Sequence, residues 1–319
     1  MTARIVMKMT VFEARAVTDT VATYWFRHPR REHLPTPTPG AHVDLHLPDG
    51  RIRQYSLCGD PDDDGMYRLA VKREDCGRGA SLWIHDHLRV GAIVHVSAPR
   101  NNFPLAETAR RHVFVAGGIG ITPFLPMARH LVRRAGEFEL HYCARAARGA
   151  AFLSELREHC GPARLRTYFS DPADAANARF DAERLLGAPT DDTHIYCCGP
   201  QRLTQAVRQA TAHWPPDQVH FETFKPVLDA NFSPEPFDVK LASSGEILRV
   251  PADKSALEVL RAHGLALPSS CELGVCGSCE CRYSDGFVIH RDSILDATAR
   301  QDRMMLCVSR ARVRVTLHL

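Results

Sequence analysis

Four cysteines near the end of the chain, Cys271, Cys276, Cys279 and Cys307, constrain it more than any other feature. The first three follow the spacing C-x4-C-x2-C, which places thiolates on a plant-type [2Fe–2S] cluster, and the fourth completes the set. Three thiolates must converge on a cluster only a few ångströms across, so the loop has to curl tightly around it. Gly274 and Gly277 allow backbone conformations that a Cβ would obstruct. Ser269, Ser270 and Ser278 are small enough to let backbone N–H groups approach the sulfides. Structural zinc is the competing use of such thiols. It favours paired C-x2-C knuckles, and this loop holds only one pair. Cys281 would share a strand face with Cys279 as a small buried residue. Cys58, Cys76, Cys143, Cys160, Cys197 and Cys198 show no ligand spacing among themselves and read as packing.

A cluster loop of this kind needs far fewer than 319 residues, so two or three domains are expected. Apolar residues make up 45% and charged residues 24%, the balance of a globular chain. The net charge of +3 is too mild to suggest nucleic acid. Arg30-Arg31 and Arg133-Arg134 are short pairs suited to a solvated surface. No apolar run approaches the roughly 18 residues of a membrane helix, and Met1 to Thr10 does not look like a signal sequence. A cytoplasmic protein is expected, in which eleven cysteines point to metal rather than disulfides.

Three blocks differ in rhythm. Up to about residue 106, short alternating stretches lie at 41–47, 51–57, 67–72 and 93–97, with one helix over 80–88. Turn clusters at Pro48-Asp49-Gly50 and Asp60 to Gly65 separate them, which predicts an antiparallel β-barrel or sandwich. From 107 to 226, strand-like runs at 112–116, 139–143, 165–169, 194–198 and 219–221 alternate with helical segments at 122–135, 152–159 and 201–213. That alternation predicts a parallel sheet covered on both faces. Residues 227–236, rich in proline, read as a linker. From 237 to 319 the sequence predicts a hairpin turning at Ser243-Ser244-Gly245, and a capping box at Ser255 and Glu258 before a short helix. The cysteine loop and a terminal strand follow.

Two further sites follow from residue chemistry. Arg53-Gln54-Tyr55-Ser56 lies on a strand, with Arg53 and Tyr55 on one face and Gln54 and Ser56 on the other. An arginine suits a phosphate and a tyrosine offers a flat face to a ring. Val71-Lys72-Arg73 lies on another strand, and Gly77-Arg78-Gly79-Ala80-Ser81 opens a helix whose N-terminus favours an anion. Together they form a candidate phosphate pocket. Ala116-Gly117-Gly118-Ile119-Gly120-Ile121-Thr122-Pro123 follows the first parallel strand. Its glycines would permit a tight turn and close approach of a pyrophosphate, and Thr122 could cap the next helix. Cys198-Gly199-Pro200 opens a later helix at the same carboxyl edge.

Taken in order, these motifs resemble phthalate dioxygenase reductase and its relatives, which include vanillate demethylase reductase. Tyr196 to Pro200, His213-Trp214-Pro215, His220-Phe221-Glu222, Pro99 to Phe103 and Cys307 to Ala311 extend the likeness over essentially the whole chain. The resemblance implies an FMN-binding β-barrel over 1–106, a Rossmann-like NAD-binding domain over 107–226 and a β-grasp ferredoxin over 237–319. It also implies a Rieske-type oxygenase as the protein that accepts electrons. By position it assigns Arg53, Tyr55, Ser56, Val71, Lys72, Arg73, Gly79, Ala80, Ser81, Thr122 and Phe224 to FMN. Gly117, Gly118, Gly120, Cys198, Gly199 and Pro200 fall to NADH. The family often has Gly-Gly-Ser where this chain has Gly79-Ala80-Ser81, and the extra methyl is harmless unless Ala80 needs a positive φ.

Hydride transfer from NADH to a flavin and onward passage of single electrons to the cluster is the implied reaction, and it requires no general acid or base. Ser56 is the candidate polar contact at the reactive edge of the flavin. No acidic residue follows the second parallel strand, where Arg145 or Arg148 could meet a 2′-phosphate. The preference for NADH therefore rests chiefly on the resemblance. A monomer is expected. The competing readings are a stand-alone reductase of a small acceptor, such as oxygen or a ferric chelate, and a redox-sensing module. The chain lacks the Cys-x-His element of a Rieske centre, so it is not itself the oxygenase.

Overall fold

The computed structural model describes residues 5–60, 62–63, 65–77, 79–174, 179–190, 192–224 and 232–319. Arg78, and residues 227–231 of the expected linker, lie outside the described residues. The chain divides into two compact units, Met1–Glu222 and Thr223–Leu319.

The first unit begins with six antiparallel strands, β1 (Val6–Ala16), β2 (Val21–Arg27), β3 (His42–His46), β4 (Ile52–Ser56), β5 (Tyr67–Lys72) and β6 (Ile93–Ser97). They lie in the order β4-β3-β6-β1-β2-β5. An antiparallel bridge between Leu57 and Leu69 joins the two outer strands and closes the sheet into a barrel. Met9, Val11, Val43, Leu45, Leu69 and Val96 fill the interior, with Ile84 of helix α1 (Ala80–His87) plugging one end. The longest strand, β1, was not expected. Met7, Met9 and Val11 point inward and alternate with Lys8 and Thr10, but the register shifts between Val11 and Glu13, so the alternation changes phase at the apolar pair Val11-Phe12 and the strand does not show one continuous period.

The same unit continues with parallel strands β7 (Arg111–Gly117), β8 (Glu137–Ala144), β9 (Leu165–Phe169), β10 (Thr193–Cys198) and β11 (Val219–Glu222), in the order β11-β10-β7-β8-β9. Helices α2 (Phe124–Arg133) and α3 (Leu153–Cys160) cover one face, through Leu125, Met127, Ala128 and Leu156. Helices α4 (Ala182–Leu186) and α5 (Gln201–Ala210) cover the other. The barrel packs on the α2–α3 side, where Val21, Cys58, Ala70 and Phe103 join that core. Arg68 of β5 donates twice to the Glu155 carboxylate at 3.0 Å, and Arg129 donates to the same group at 2.8 Å. Arg133 pairs with Asp60 and Asp62 beside them.

The second unit holds β12 (Phe237–Leu241), β13 (Ile247–Val250), α6 (Ala256–Ala262), β14 (Glu280–Ser284), β15 (Val288–Ile289), β16 (Arg303–Met305), β17 (Arg310–Ala311) and β18 (Arg314–His318). A five-stranded mixed sheet runs β13-β12-β18-β14-β16, and β15 pairs with β17. Ser255 caps α6: its hydroxyl accepts from the Glu258 N–H, and Glu258 accepts from the Ser255 N–H at 2.7 Å. Ala256, Leu257 and Leu260 of that helix are buried with Phe237, Val239, Val315 and Leu317, the packing of a helix on a grasping sheet.

Candidate functional site

Strand order reverses between β7 and β10, which flank one another while their following helices leave to opposite faces. Such a switch point opens a crevice at the carboxyl edge of the sheet. The loops that emerge there are Gly117–Thr122 and Cys198–Pro200. A Cβ on Gly117 would lie 2.5 Å from Pro200 Cδ, one on Gly120 would lie 2.3 Å from the Cys198 carbonyl oxygen, and one on Gly199 would lie 2.9 Å from Gly117 Cα. Three glycines therefore let the two loops press together. Gly118 differs: its φ is +55° and no atom of the described residues lies within 4 Å of its Cβ position, so it is the glycine open to a ligand. The helix after this loop begins as a 3₁₀ turn over Gly118–Ile121. Thr122 is buried inside it and does not cap α2; its hydroxyl donates to the Ile119 carbonyl at 3.1 Å.

Strand parity decides which side chains meet at this edge. Val115 and Cys197 point to the α4–α5 core, whereas Ala116 and Cys198 point to the barrel side. Cys198 pairs with Glu222 in the β10–β11 register, so both face the barrel. There the Ser56 hydroxyl, at the end of β4, donates to Glu222 Oε2 at 3.3 Å, and the Cys198 thiol approaches the same oxygen at 3.9 Å. Burial pushes the Glu222 carboxyl up to about 8, against the opposing pull of those two hydrogen bonds. Burial raises the Cys198 thiol as well. Glu222 was quoted in the sequence only as part of a motif and given no role. Its role appears once β10 and β11 are in register and the barrel is docked, because Ser56 and Glu222 are 166 residues apart.

The candidate phosphate residues gather at one end of the barrel. Gly79 is the left-handed residue before α1, with φ +77°, while Ala80 is helical and buried, so the methyl of Ala80 meets no backbone conflict. The first turn of α1 carries no acidic residue. A Cβ on Gly79 would lie 3.1 Å from Arg51 Nη1, which places Arg51 beside the helix start. Arg51 lies just before β4 and outside the Arg53–Ser56 motif, so no local pattern marks it; Asp49 holds its guanidinium at 2.7 Å. Arg53 donates to the Ile52 carbonyl at 2.7 Å. Lys72 pairs with Glu74 at 3.0 Å and Arg73 with Asp86 at 2.8 Å. The Ser81 hydroxyl accepts from the Glu74 N–H. Tyr55 packs against the barrel core, and burial raises its hydroxyl pKa. The Val71 side chain lies inside the barrel, and its carbonyl is 2.9 Å from His85 Nε2. Phe224 lies two residues beyond β11 and is exposed. Cations, a helix start without acids and a polar Ser56–Glu222 edge form a set of partners suited to a flavin phosphate and ring.

In the second unit Cys271, Cys276 and Cys279 are buried and Cys307 is half-buried. Cys271 and Cys276 are hydrogen-bonded thiols, as are Cys279 and Cys307, and in each pair the contact favours the thiolate on one partner, Cys276 and Cys279. The Leu273 N–H donates to Cys271 Sγ at 3.3 Å and the Ser278 N–H to Cys276 Sγ at 3.4 Å. Gly274 and Gly277, with φ of +73° and +74°, make the two bends of the loop. Among the described residues no three His, Cys, Asp or Glu side chains are arranged around a single metal ion. Four thiols arranged two and two, with N–H groups aimed at sulfur, are instead what a two-iron cluster requires. Cys281 points into the core, its thiol 3.2 Å from the Arg282 carbonyl.

Comparison with known proteins accords with this geometry. Residues 8–104 match the oxidoreductase FAD-binding domain, 114–209 the oxidoreductase NAD-binding domain, and 239–312 the 2Fe-2S iron-sulfur cluster binding domain. The chain is 44% identical over 288 residues to the phthalate 4,5-dioxygenase oxygenase reductase subunit of Pseudomonas putida, covering 89% of this chain and 88% of that one. It superposes on phthalate dioxygenase reductase with a TM-score of 0.76 at 37% identity, over 98% of each chain. It also matches an intact type IV self-sufficient cytochrome P450 monooxygenase, with a TM-score of 0.85 at 40% identity; there it spans 99% of its own length and 41% of that chain. An antiparallel flavin barrel, a parallel nucleotide-binding sheet and a ferredoxin unit bearing four paired thiols thus occur in one sequence, and the chain belongs to the phthalate dioxygenase reductase family of flavin- and [2Fe–2S]-containing oxidoreductases.

Proposed function

We propose that this chain is the NADH-dependent reductase component of a Rieske-type aromatic oxygenase or O-demethylase system, with FMN as its flavin. The observation that carries the reading is the meeting of Ser56, Cys198 and Glu222 at the switch point, in a chain that also carries four paired cluster thiols. A bound flavin supplies the conversion of a two-electron hydride into single electrons, which a cluster can take one at a time. The protein orients the partners. Arg53, Lys72, Arg73, Gly79, Ala80 and Ser81 would hold the FMN phosphate, and Tyr55, Val71, Thr122 and Phe224 would line the ring. Gly117, Gly118, Gly120, Cys198, Gly199 and Pro200 would receive NADH, with Gly118 nearest the pyrophosphate. Glu222 accepts the Ser56 hydroxyl hydrogen, which would leave the Ser56 oxygen lone pairs to face the ring edge, and Glu222 remains protonated at neutral pH. Cys271 and Cys276 would hold one iron, Cys279 and Cys307 the other.

On this reading residues 1–106, 107–226 and 237–319 are the three functional domains, and 227–236 joins the last two. The protein would work as a cytoplasmic monomer, a setting supported by eleven free cysteines. Cys276→Ser tests the route. NADH-driven reduction of cytochrome c should fall by more than tenfold while ferricyanide reduction, taken from the flavin, persists. Equal retention of both activities would remove the cluster from the path. The likeness to a P450 monooxygenase favours a haem protein as the second candidate acceptor. NADH turnover with purified Rieske and haem acceptors, and with oxygen alone, separates these from a reductase of small molecules.

A further inference from the structure

Asp292 has no exposed side-chain surface and lies directly behind the loop that carries Cys271 and Cys276. Gly274 is midway between those two ligands, and a Cβ there would lie 3.1 Å from Asp292 Cα. The next residue ties the two segments together, the Ser293 N–H donating to the Gly274 carbonyl at 3.0 Å. The Asp292 carboxylate itself is unevenly compensated. Its Oδ2 accepts from the Leu295 N–H at 3.0 Å and lies 3.5 Å from Arg300 Nη2. Among the described residues its Oδ1 has no partner within hydrogen-bond distance, and neither has His290 Nδ1, 3.6 Å away. The reason is the imidazole tautomer. His290 Nε2 is 3.1 Å from the Arg300 carbonyl, which only accepts, so in the neutral ring Nε2 carries the hydrogen and Nδ1 turns a lone pair towards Oδ1. Arg300 in turn donates to the Asp292 carbonyl at 2.8 Å, and the Arg300 carbonyl is held by the Tyr283 hydroxyl at 2.7 Å.

A buried carboxylate with one oxygen lacking a donor retains much of its field, and burial next to a redox centre strengthens that field. Reduction adds negative charge to an iron–sulfur cluster, so a nearby carboxylate disfavours the reduced form and a nearby guanidinium favours it. We propose that Asp292 and Arg300 form a built-in pair that sets the reduction potential of the cluster, Asp292 lowering it and Arg300 raising it, with Asp292–Ser293 also fixing the cluster loop at Gly274. Both are positioning residues, since neither is one of the four cluster thiols. The inference rests on Cys271, Cys276, Cys279 and Cys307 holding a [2Fe–2S] cluster.

The test is a potentiometric titration of the full holoprotein, followed by the EPR signal of the reduced cluster. Asp292→Asn keeps the shape and an acceptor for the Leu295 N–H, and its midpoint should move to a more positive potential. Arg300→Gln should move it the other way, and Arg300→Lys should stay close to wild type. Midpoints that do not move, or that move in the same direction in both charge-removing variants, overturn the proposal, because a purely structural role would alter iron content or melting without opposite signs. Should Asp292→Asn fail to assemble its cluster, Arg300→Gln decides alone, since Arg300 is 39% exposed and tolerates polar replacement more readily. A wild-type protein lacking the two-iron signal would sink the cluster assignment itself, an outcome distinct from unmoved midpoints.

Discussion

Replacing Glu222 by Gln should change how stability depends on pH, and the sign follows from the carboxyl's environment. The folded protein holds this group near 8, against an ordinary glutamate value of 4.5. Between those values the folded state keeps a proton that the unfolded chain has released. Stability therefore falls as pH rises through that window, and the loss is complete above 8. A shift of this size corresponds to about 3 to 5 kcal/mol, the lower figure applying because Glu222 keeps some solvent contact. The Gln variant has the same shape and no titration, so it escapes the loss. All three tryptophans, Trp25, Trp83 and Trp214, lie in the first unit. Urea unfolding followed by tryptophan emission in the full holoprotein thus reads this unit. The difference in unfolding free energy between wild type and Glu222→Gln, measured at pH 5 and again at pH 9, cancels the other titrating groups. That difference should shift by about 3 to 5 kcal/mol in favour of the variant at the higher pH. Parallel profiles for the two proteins would show that Glu222 ionises freely and that the buried Ser56–Glu222–Cys198 contact is not the arrangement in solution.

Two further substitutions probe how the barrel and the parallel sheet are held. Arg68→Ala removes a bidentate bond to Glu155 and the stacking of the guanidinium on Trp25 and Phe152. Glu155 keeps Arg129, so the loss should be about 2–3 kcal/mol rather than that of an abandoned buried charge. A loss below about 1 kcal/mol in the same urea assay would class the pair with ordinary surface bridges. Gly120→Ala forces a methyl against the Cys198 carbonyl and should part the two switch-point loops, destabilising the unit by about 1–3 kcal/mol and raising the KM for NADH. Gly149→Ala, with no atom of the described residues within 4 Å of the new methyl, is the control and should change neither; equal unfolding free energies in the two variants would refute the packing role of Gly120.

The cluster loop was legible because its chemistry is local: three of four ligands fall within nine residues, and Cys307 stands out by type. The parallel sheet was legible because buried strands and amphipathic helices alternate with different periods; its five strands and three of its helices fall where the sequence places them, while α4 (Ala182–Leu186), only five residues long, is too short to show a period of its own. The first barrel strands were hidden for the converse reason. β1 alternates over Met7 to Val11 but changes phase at the register shift between Val11 and Glu13, and Val21 to Phe26 is largely apolar on both faces of β2, so neither strand keeps one period along its length. The site at the switch point was legible only in part. Ser56 and Cys198 could each be placed at a strand end, but their meeting with Glu222 depends on parity in three strands and on the docking of the barrel. Glycine is the sharpest case. One sequence signal, a Gly-rich turn after a strand, serves two physical demands: Gly117 and Gly120 answer to the neighbouring loop, and Gly118 to open space. Spacing alone does not divide them, since each simply lacks a Cβ. What divides them is the neighbour that a Cβ would strike, and that neighbour, Cys198 to Pro200, enters nearly eighty residues later. Substitution at Gly118 therefore meets only the backbone strain of its φ of +55°, about 1 kcal/mol, and acts beyond that through nucleotide binding, whereas substitution at Gly120 acts first through the fold.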